Sequence, residues 1–152
     1  QADEATYNLH IFLRFELELA LIEGKLSVEH LPQAWNDLMK AYLGITPEND
    51  AAGVLQDMHW GYGMFGYFAT YTLGNLAAAQ IWHRMSQDLP ELNNSIAVGD
   101  FTPLLHWQRE NIHHYGSLYE PMQLLENATG EPLNPQYYLD YLTQKYSEIY
   151  TL

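Results

Sequence analysis

Glycine is concentrated in one stretch of this chain, and that concentration limits what the chain can form there. The stretch runs from Gly53 to Asn75 and contains five glycines among polar and aromatic residues, in the order GVLQDMHWGYGMFGYFATYTLGN. Glycine removes side-chain bulk and permits backbone conformations that other residues avoid. A plain connection between helices needs no such crowding of polar and aromatic groups, whereas a loop that presents chemistry to a ligand does. Because the pattern becomes helical after Gly66, the stretch predicts a loop at the mouth of a site that leads into a scaffold helix.

The residues before this stretch, 7–22, fit two patterns. Six apolar residues alternate with period two, as in a half-buried strand: Ile11, Leu13, Phe15, Leu17, Leu19 and Leu21. The run is longer than a usual strand, however, and it is rich in Leu, Glu and Ala rather than in β-branched residues. We therefore predict a helix that is buried on most sides, with Asp3 as its N-cap and Gly24 at its end.

Three charged residues of that helix need polar partners because the helix is so apolar. Arg14 and Glu18 are four residues apart, the spacing at which opposite charges pair on a helix surface. Together with Glu16 they form either a recognition patch or buried ion pairs that hold helices in register. The ion pairs are the commoner arrangement, since unpaired charges are rarely buried.

Glycine and proline divide the rest of the chain into further helices. Proline near a start and glycine at an end mark most of them, as where Thr102 caps a helix that Gly116 ends. The predicted helices cover 7–22, 27–44, 67–88, 91–98, 102–116, 120–128 and 134–149. The sequence thus predicts an all-α, multi-helix fold with one glycine- and aromatic-rich loop, organised as a single domain over 1–152.

The composition excludes several classes of partner. Six basic residues against nineteen acidic ones give a formal charge of −13, so the basic surface that a nucleic acid requires is missing, and an anionic membrane would repel the chain. No apolar run reaches membrane-spanning length. The lack of cysteine and of a signal-peptide pattern favours a cytoplasmic protein. The polar start without methionine favours a piece of a longer protein or a processed product.

Seven histidines raise the question of a metal site. A zinc helix places two histidines four residues apart with a glutamate between them, and no pair here has that spacing. His113 and His114 are adjacent, so they would point about 100° apart on a helix. His106 and Glu110 precede them at helical spacing, but such a row is equally a set of surface charge pairs. We predict no metal site in this chain.

His59 differs from the other histidines in its neighbours. Asp57 lies two residues away and would hold one imidazole nitrogen, which fixes the tautomer that faces a substrate. Gln56 adjoins that carboxylate, and Trp60 would exclude water. The alternative is a buried polar network that only fastens the loop, and the residues alone do not decide between the two.

Tyr62, Tyr67 and Tyr71 have a similar ambiguity. A tyrosine hydroxyl beside a reacting carbonyl can donate to a developing oxyanion, but most tyrosines at helical spacing are packing residues with a satisfied hydroxyl. Tyr67 and Tyr71 share one helix face, and Tyr67 lies where the loop meets the helix.

Several spaced motifs resemble the carboxypeptidase Taq family of zinc metallocarboxypeptidases. Four segments carry the resemblance, each given with the family motif that it matches: 2–10 (the tail of IRxxAD and the helix after it), 53–60 (GxxQDxHW), 66–75 (GYFPTYALGN) and 128–133 (ATGEPL). Ala69 replaces the proline of the third motif, a change expected to loosen one turn of backbone. The resemblance covers essentially the whole chain, and it is to the C-terminal part of the family.

The resemblance implies a mostly helical, cytoplasmic and commonly dimeric enzyme that removes single residues from peptide C-termini. In that family a zinc-bound water attacks the carbonyl and a glutamate acts as base. The resemblance places the HExxH zinc helix, the further glutamate ligand and the arginine of IRxxAD before Gln1. It implies His59 and Tyr67 as catalytic residues, and it extends to a set of substrate-binding residues, which are Gln56, Asp57, Trp60 and Tyr71.

We therefore expect the C-terminal substrate-cleft portion of such a carboxypeptidase, which acts on peptide C-termini and is inactive alone because zinc binds elsewhere. One rival hypothesis is a non-catalytic helical module that binds a partner through the glycine-rich loop. Another is a dimerisation domain, which is favoured if the apolar helix over 7–22 is exposed.

Overall fold

A computed structural model describes residues 3–150. These residues form seven α-helices and no strand, which confirms the predicted all-α class. The helices are α1 (Tyr7–Ile22), α2 (Leu31–Leu43), α3 (Thr70–Asp88), α4 (Leu92–Ala97), α5 (Thr102–Asn111), α6 (Pro121–Thr129) and α7 (Gln136–Tyr150). Short 3-10 turns lie over Val28–His30, Val54–Gln56, Trp60–Tyr62 and His113–Tyr115. None of the helices in the described part of the chain is long and apolar enough to cross a membrane.

Glycines follow several helices as predicted, but Gly116 does not end α5, which ends at Asn111, and two predicted caps are wrong. Gly44 and Gly130 adopt the left-handed conformation directly after α2 and α6, where glycine costs least. Asp3 does not cap α1, because its Oδ1 accepts hydrogen bonds from the backbone N–H and hydroxyl of Thr6, which forms a turn before the helix. Thr102 is the first residue of α5 and not its N-cap.

The chain divides into two compact units, between Leu73 and Gly74. In the first unit α1 packs on α2. The core of this unit consists of residues from both helices and from the glycine-rich stretch, namely Leu13, Leu17, Trp35, Met39 and Val54. The stretch is therefore part of the core of this unit and not only a surface connection.

The prediction that α1 is buried on most sides is wrong. Within its unit the helix buries one side against α2 and the stretch, whereas another side is largely exposed. Four apolar side chains on that side are 43–66% exposed, which are Phe12, Phe15, Leu19 and Ile22. Their spacing of three, four and three residues places them along one line of the helix. We call them the α1 stripe.

The second unit has a separate core and, among its described residues, two buried polar ones, Gln80 and Thr129. Met85, Leu92 and Trp107 pack together. Gln80 is fully buried on α3, and its amide binds the connection between α6 and α7. Its Nε2 donates to Thr129 Oγ1 and to the carbonyls of residues 131 and 132, while its Oε1 accepts from the backbone N–H of residue 134.

Candidate functional site

Three of the five glycines of the stretch are required by its backbone. A Cβ on Gly53 would lie 3.2 Å from the Cβ of Pro47 and 3.3 Å from the carbonyl oxygen of Asn49, closer than side chains normally pack. Gly63 and Gly66 have φ angles of +72° and +76°, which other residues rarely adopt. Turns therefore continue through residue 69, and α3 begins three residues later than the helical pattern predicted.

Four rings meet where the stretch joins α3. The His59 imidazole stacks on Tyr67, with ring centroids 5.5 Å apart and planes inclined by 22°. Phe68 and Tyr71 contact the same imidazole edge-on, at 4.8 and 5.9 Å. The Tyr67 and Tyr71 rings also contact each other at 5.7 Å. The structure thus brings His59, Tyr67 and Tyr71 together, and both tyrosines are partly exposed.

Two polar groups of this ring cluster are the Tyr71 hydroxyl and the His59 Nδ1 atom. Partial burial raises the pKa of Tyr71, and the neighbouring Tyr67 hydroxyl raises it further. The Nδ1 atom of His59 is buried and has no hydrogen-bond partner among residues 3–150.

Asp57 is directed away from the imidazole and toward α1. Its side chain has no exposed surface; Oδ2 accepts from Arg14 Nε at 3.0 Å, and Oδ1 accepts from the backbone N–H of Trp60 at 3.0 Å. The same Oδ1 lies 3.9 Å from His59 Nδ1, which is beyond hydrogen-bond distance. In this arrangement Asp57 fastens the loop, and its predicted contact with substrate stays a prediction.

Arg14 is held on several sides. Its guanidinium lies 4.6 Å from the centre of the Trp35 ring and 4.7 Å from that of Phe68. Its Nη1 also donates to the His10 carbonyl at 2.7 Å. Burial lowers the pKa of Arg14, and the Asp57 carboxylate acts in the opposite direction. The cation is therefore part of a buried pair, the arrangement favoured for it from the sequence.

Glu18 does not pair with Arg14, so that prediction is wrong. Glu18 Oε2 accepts from the indole Nε1 of Trp60 at 2.7 Å, and Oε1 accepts from the backbone N–H of Gly66. Trp60 also packs edge-on against Trp35, with ring centroids 6.2 Å apart. Both charged side chains find partners in the loop, which lies more than forty residues further along the chain.

The remaining candidates lie at the rim. Gln56 is exposed, and its side-chain amide donates to the carbonyl of Ala51 within its own turn. Tyr62 is 76% exposed. Their roles and that of Trp60 stay predictions. Phe68 was not predicted to have a role, although it lies beside His59 and Arg14. Its position between Tyr67 and the helical run was the sequence feature that could have indicated one.

No three histidine, aspartate or glutamate side chains within residues 3–150 come together in a way that could hold a metal ion. His106 Nε2 lies 3.3 Å from Glu110 Oε1 on the surface of α5, as one of the charge pairs considered from the spacing. The described residues therefore do not supply a ligand set for the metal that the resemblance implies.

Comparison with known proteins gives consistent matches over the whole chain. A sequence model described as carboxypeptidase Taq (M32) metallopeptidase matches residues 1–146. Carboxypeptidase 1 of Bacillus subtilis (strain 168) is 47% identical over 152 residues, and thermostable carboxypeptidase 1 of Thermus thermophilus is 49% identical over 150. These alignments cover 100% and 99% of this chain but only 30% and 29% of the relatives.

Solved structures agree with the sequence matches. An M32 carboxypeptidase from Deinococcus radiodurans R1 superposes with a TM-score of 0.96 at 42% identity, covering 100% of this chain and 31% of that one. Trypanosoma cruzi metallocarboxypeptidase 1 gives a TM-score of 0.91 at 44% identity, covering 96% and 31%. The chain thus has the fold of one portion of these larger proteins.

Proposed function

The chain belongs to the carboxypeptidase Taq (M32) metallopeptidase family, and from that membership we propose that it forms the C-terminal part of the substrate cleft of a zinc carboxypeptidase. The complete enzyme would release single amino acids from peptide C-termini, in the cytoplasm. The observation that carries the proposal is the stacking of His59 on Tyr67 at a partly exposed edge of the glycine-rich stretch.

Each ring has a role that its position supports. The Tyr67 phenol is exposed enough to reach a peptide carbonyl and would donate a hydrogen bond to the oxygen that gains charge during cleavage. His59 packs against that phenol and would bind the substrate beside it. Tyr71 contacts both rings, and its hydroxyl would be a further hydrogen-bond donor. Gln56, Asp57 and Trp60 would shape the pocket around them.

The metal belongs to the part of the enzyme that this chain does not span. Zinc would supply the activated water in the complete protein, with its ligands outside residues 3–150. The chain alone is therefore expected to be inactive. A blocked dipeptide incubated with the 152-residue chain and zinc tests this, and robust hydrolysis would contradict it.

The role of Tyr67 is tested by a single substitution in the complete enzyme. Tyr67→Phe removes the hydroxyl and keeps the ring, so kcat should fall on the order of 10²-fold while bound zinc is unchanged. Tyr62→Phe is the matched control, since Tyr62 lies in the same stretch but is directed to solvent, and it should keep full activity. Full activity of Tyr67→Phe would contradict the proposed role.

A second candidate function is a non-catalytic helical module that binds or dimerises, and the α1 stripe favours it. In that case a second copy covers the stripe. Sedimentation equilibrium tests the dimer that this candidate requires: Phe15→Glu would convert it to a monomer. A monomeric wild-type chain would exclude the dimer, and the stripe would then be the surface that the rest of the enzyme covers.

A further inference from the structure

One carboxylate joins the two ends of the loop segment that carries the stacked rings. Glu18 Oε2 accepts from Trp60 Nε1 at 2.7 Å, and Glu18 Oε1 accepts from the Gly66 backbone N–H. Trp60 directly follows His59, and Gly66 directly precedes Tyr67. We call these two hydrogen bonds the Glu18 bridge. It closes the residues between Trp60 and Gly66 into a loop, and the two residues just outside that loop are the ones whose rings stack.

The bridge satisfies both oxygens of a buried carboxylate. Glu18 is 8% exposed, and a buried carboxylate is unfavourable unless its oxygens accept hydrogen bonds. Here each oxygen accepts one, from donors that are six residues apart in the chain. Gly66 has a φ of +76°, which turns the chain at the bridge. One helical turn earlier, Arg14 binds Asp57 and lies over Phe68, so α1 holds the loop at further points.

We infer that Glu18 is a positioning residue that sets the separation of His59 and Tyr67. Its oxygens are engaged with Trp60 and Gly66 and its side chain is buried, so it acts through the loop and not on a peptide. The catalytic consequence rests on the proposed function, but the effect on the two rings does not.

The sharpest test replaces the carboxylate by an amide of the same shape. Glu18→Gln keeps one acceptor oxygen and places an NH₂ group against the second donor, so one bond of the bridge is lost. Glu16→Gln is the matched control, because the same change is made two residues earlier at an exposed site that binds Tyr42. Both variants are made in the 152-residue chain, and helix content and melting temperature show that each is folded.

The readout is the NMR position of the His59 ring protons, assigned with His59→Gln. Stacking on Tyr67 displaces these signals upfield. We expect Glu18→Gln to lose most of that displacement and Glu16→Gln to retain it. If Glu18→Gln does not fold, Trp60→Phe removes the indole donor, together with part of the ring that packs on Trp35, and should give a smaller loss. A folded variant of either kind with unchanged His59 signals would overturn the inference.

An activity measurement separates this inference from the proposed function. In the complete enzyme Glu18→Gln should lower kcat on the order of 10²-fold, as expected for a group displaced by about 1 Å, with zinc content and KM unchanged. If the His59 signals move but neither Glu18→Gln nor Tyr67→Phe affects kcat, the bridge stands and the catalytic proposal fails. If Tyr67→Phe lowers kcat and the His59 signals stay fixed in Glu18→Gln, the catalytic proposal stands and the bridge fails.

Discussion

The two units each contain an arginine–aspartate pair of nearly the same geometry in very different surroundings. In the first unit Arg14 Nε lies 3.0 Å from Asp57 Oδ2, and in the second Arg84 Nε lies 3.1 Å from Asp88 Oδ2. The side chains of the first pair are 11% and 0% exposed, whereas those of the second are 45% and 33% exposed. The same chemistry is therefore found once inside a core and once on a helix surface.

Burial changes what such a pair does. A surface pair contributes little because water and salt already solvate both charges. A buried pair gains little in net terms, but breaking it leaves a charge with no solvent, which costs much more. Arg14–Asp57 joins α1 to the glycine-rich loop across more than forty residues, whereas Arg84–Asp88 joins two successive turns of α3. The buried pair thus joins α1 to the loop that carries the candidate site, whereas the contact between Arg84 and Asp88 stays within α3, and it is Trp107 that links Asp88 to α5.

Removing the arginine of the buried pair should have the largest effect. Arg14→Met keeps the bulk between Trp35 and Phe68 but leaves Asp57 buried without its cation. We expect the free energy of unfolding to fall by about 3–5 kcal/mol, as measured by urea denaturation.

A second variant isolates the charge from the packing. Arg14→Met combined with Asp57→Asn removes both charges, and the oxygen of the introduced amide can still accept from the backbone N–H of Trp60. This double variant should be more stable than Arg14→Met by at least about 1 kcal/mol. Equal stability of the two would mean that Arg14 acts through its packing on the two rings and not through Asp57.

The second prediction compares the polar residues that fasten an irregular segment in each unit. Glu18 accepts from two donors, whereas Gln80 both donates and accepts within the turn at 129–134. Gln80→Glu would set a carboxylate against the carbonyls of residues 131 and 132, so we expect a loss of about 2–3 kcal/mol in the free energy of unfolding.

Gln87→Glu is the control, since Gln87 lies on an exposed part of the same helix, and its effect should stay within about 0.5 kcal/mol. A Gln80→Glu protein as stable as wild type would show that the turn can rearrange around a carboxylate. It would then not matter for stability that Gln80 donates hydrogen bonds while Glu18 only accepts them.

The sequence predicted the helices well because their ends depend on local chemistry. Gly24, Gly44 and Gly130 follow their helices with positive φ angles, as their positions indicated. Helical spacing did not predict the partners of Arg14 and Glu18. Spacing on a helix shows which residues can pair, but it does not show that a loop more than forty residues away supplies better partners.

The sequence singled out three rings that lie together in the structure, but it did not predict the direction of the Asp57 side chain; the roles of these residues stay predictions. His59 meets two of the three tyrosines of the stretch, Tyr67 and Tyr71, since these residues flank one loop and the start of one helix, whereas Tyr62 lies apart and is exposed. Asp57 was predicted to hold His59 because it is close in sequence, yet it is directed toward Arg14. Asp57 instead accepts from the buried Arg14 cation, and the cation's position comes from the tertiary packing of α1.

The third prediction uses pH to sharpen the description of the exposed pair. The Trp107 indole donates to Asp88 at 2.8 Å and, with Arg84, holds the pKa of Asp88 below its ordinary value. A lowered native pKa gives stability that is present above the ordinary pKa of about 4 and lost as the pH falls through the native pKa. In Trp107→Phe this pH-dependent part should shrink. Its stability difference from wild type should therefore be larger at pH 7 than at pH 3 in urea titrations.

Trp82→Phe provides the comparison for that experiment. Trp82 is 41% exposed on the same helix as Asp88, so its difference from wild type should not vary with pH. A Trp107→Phe difference that is also constant with pH would mean that the indole contributes only its packing in the second core.

The smallest effect is expected for the exposed arginine–aspartate pair of the second unit. Arg84→Met removes the cation from Asp88 at nearly the same distance as in the buried pair, but water replaces it at once, and Trp107 still donates to the carboxylate. The free energy of unfolding should change by about 0.5 kcal/mol or less. The change should disappear in 1 M salt, where the Debye length is about 3 Å, whereas the loss in Arg14→Met should persist. If Arg84→Met lowered the free energy of unfolding as much as Arg14→Met does, exposure would not explain the difference between the two pairs. The proposal that burial enables the Arg14–Asp57 pair to hold the site would then be contradicted.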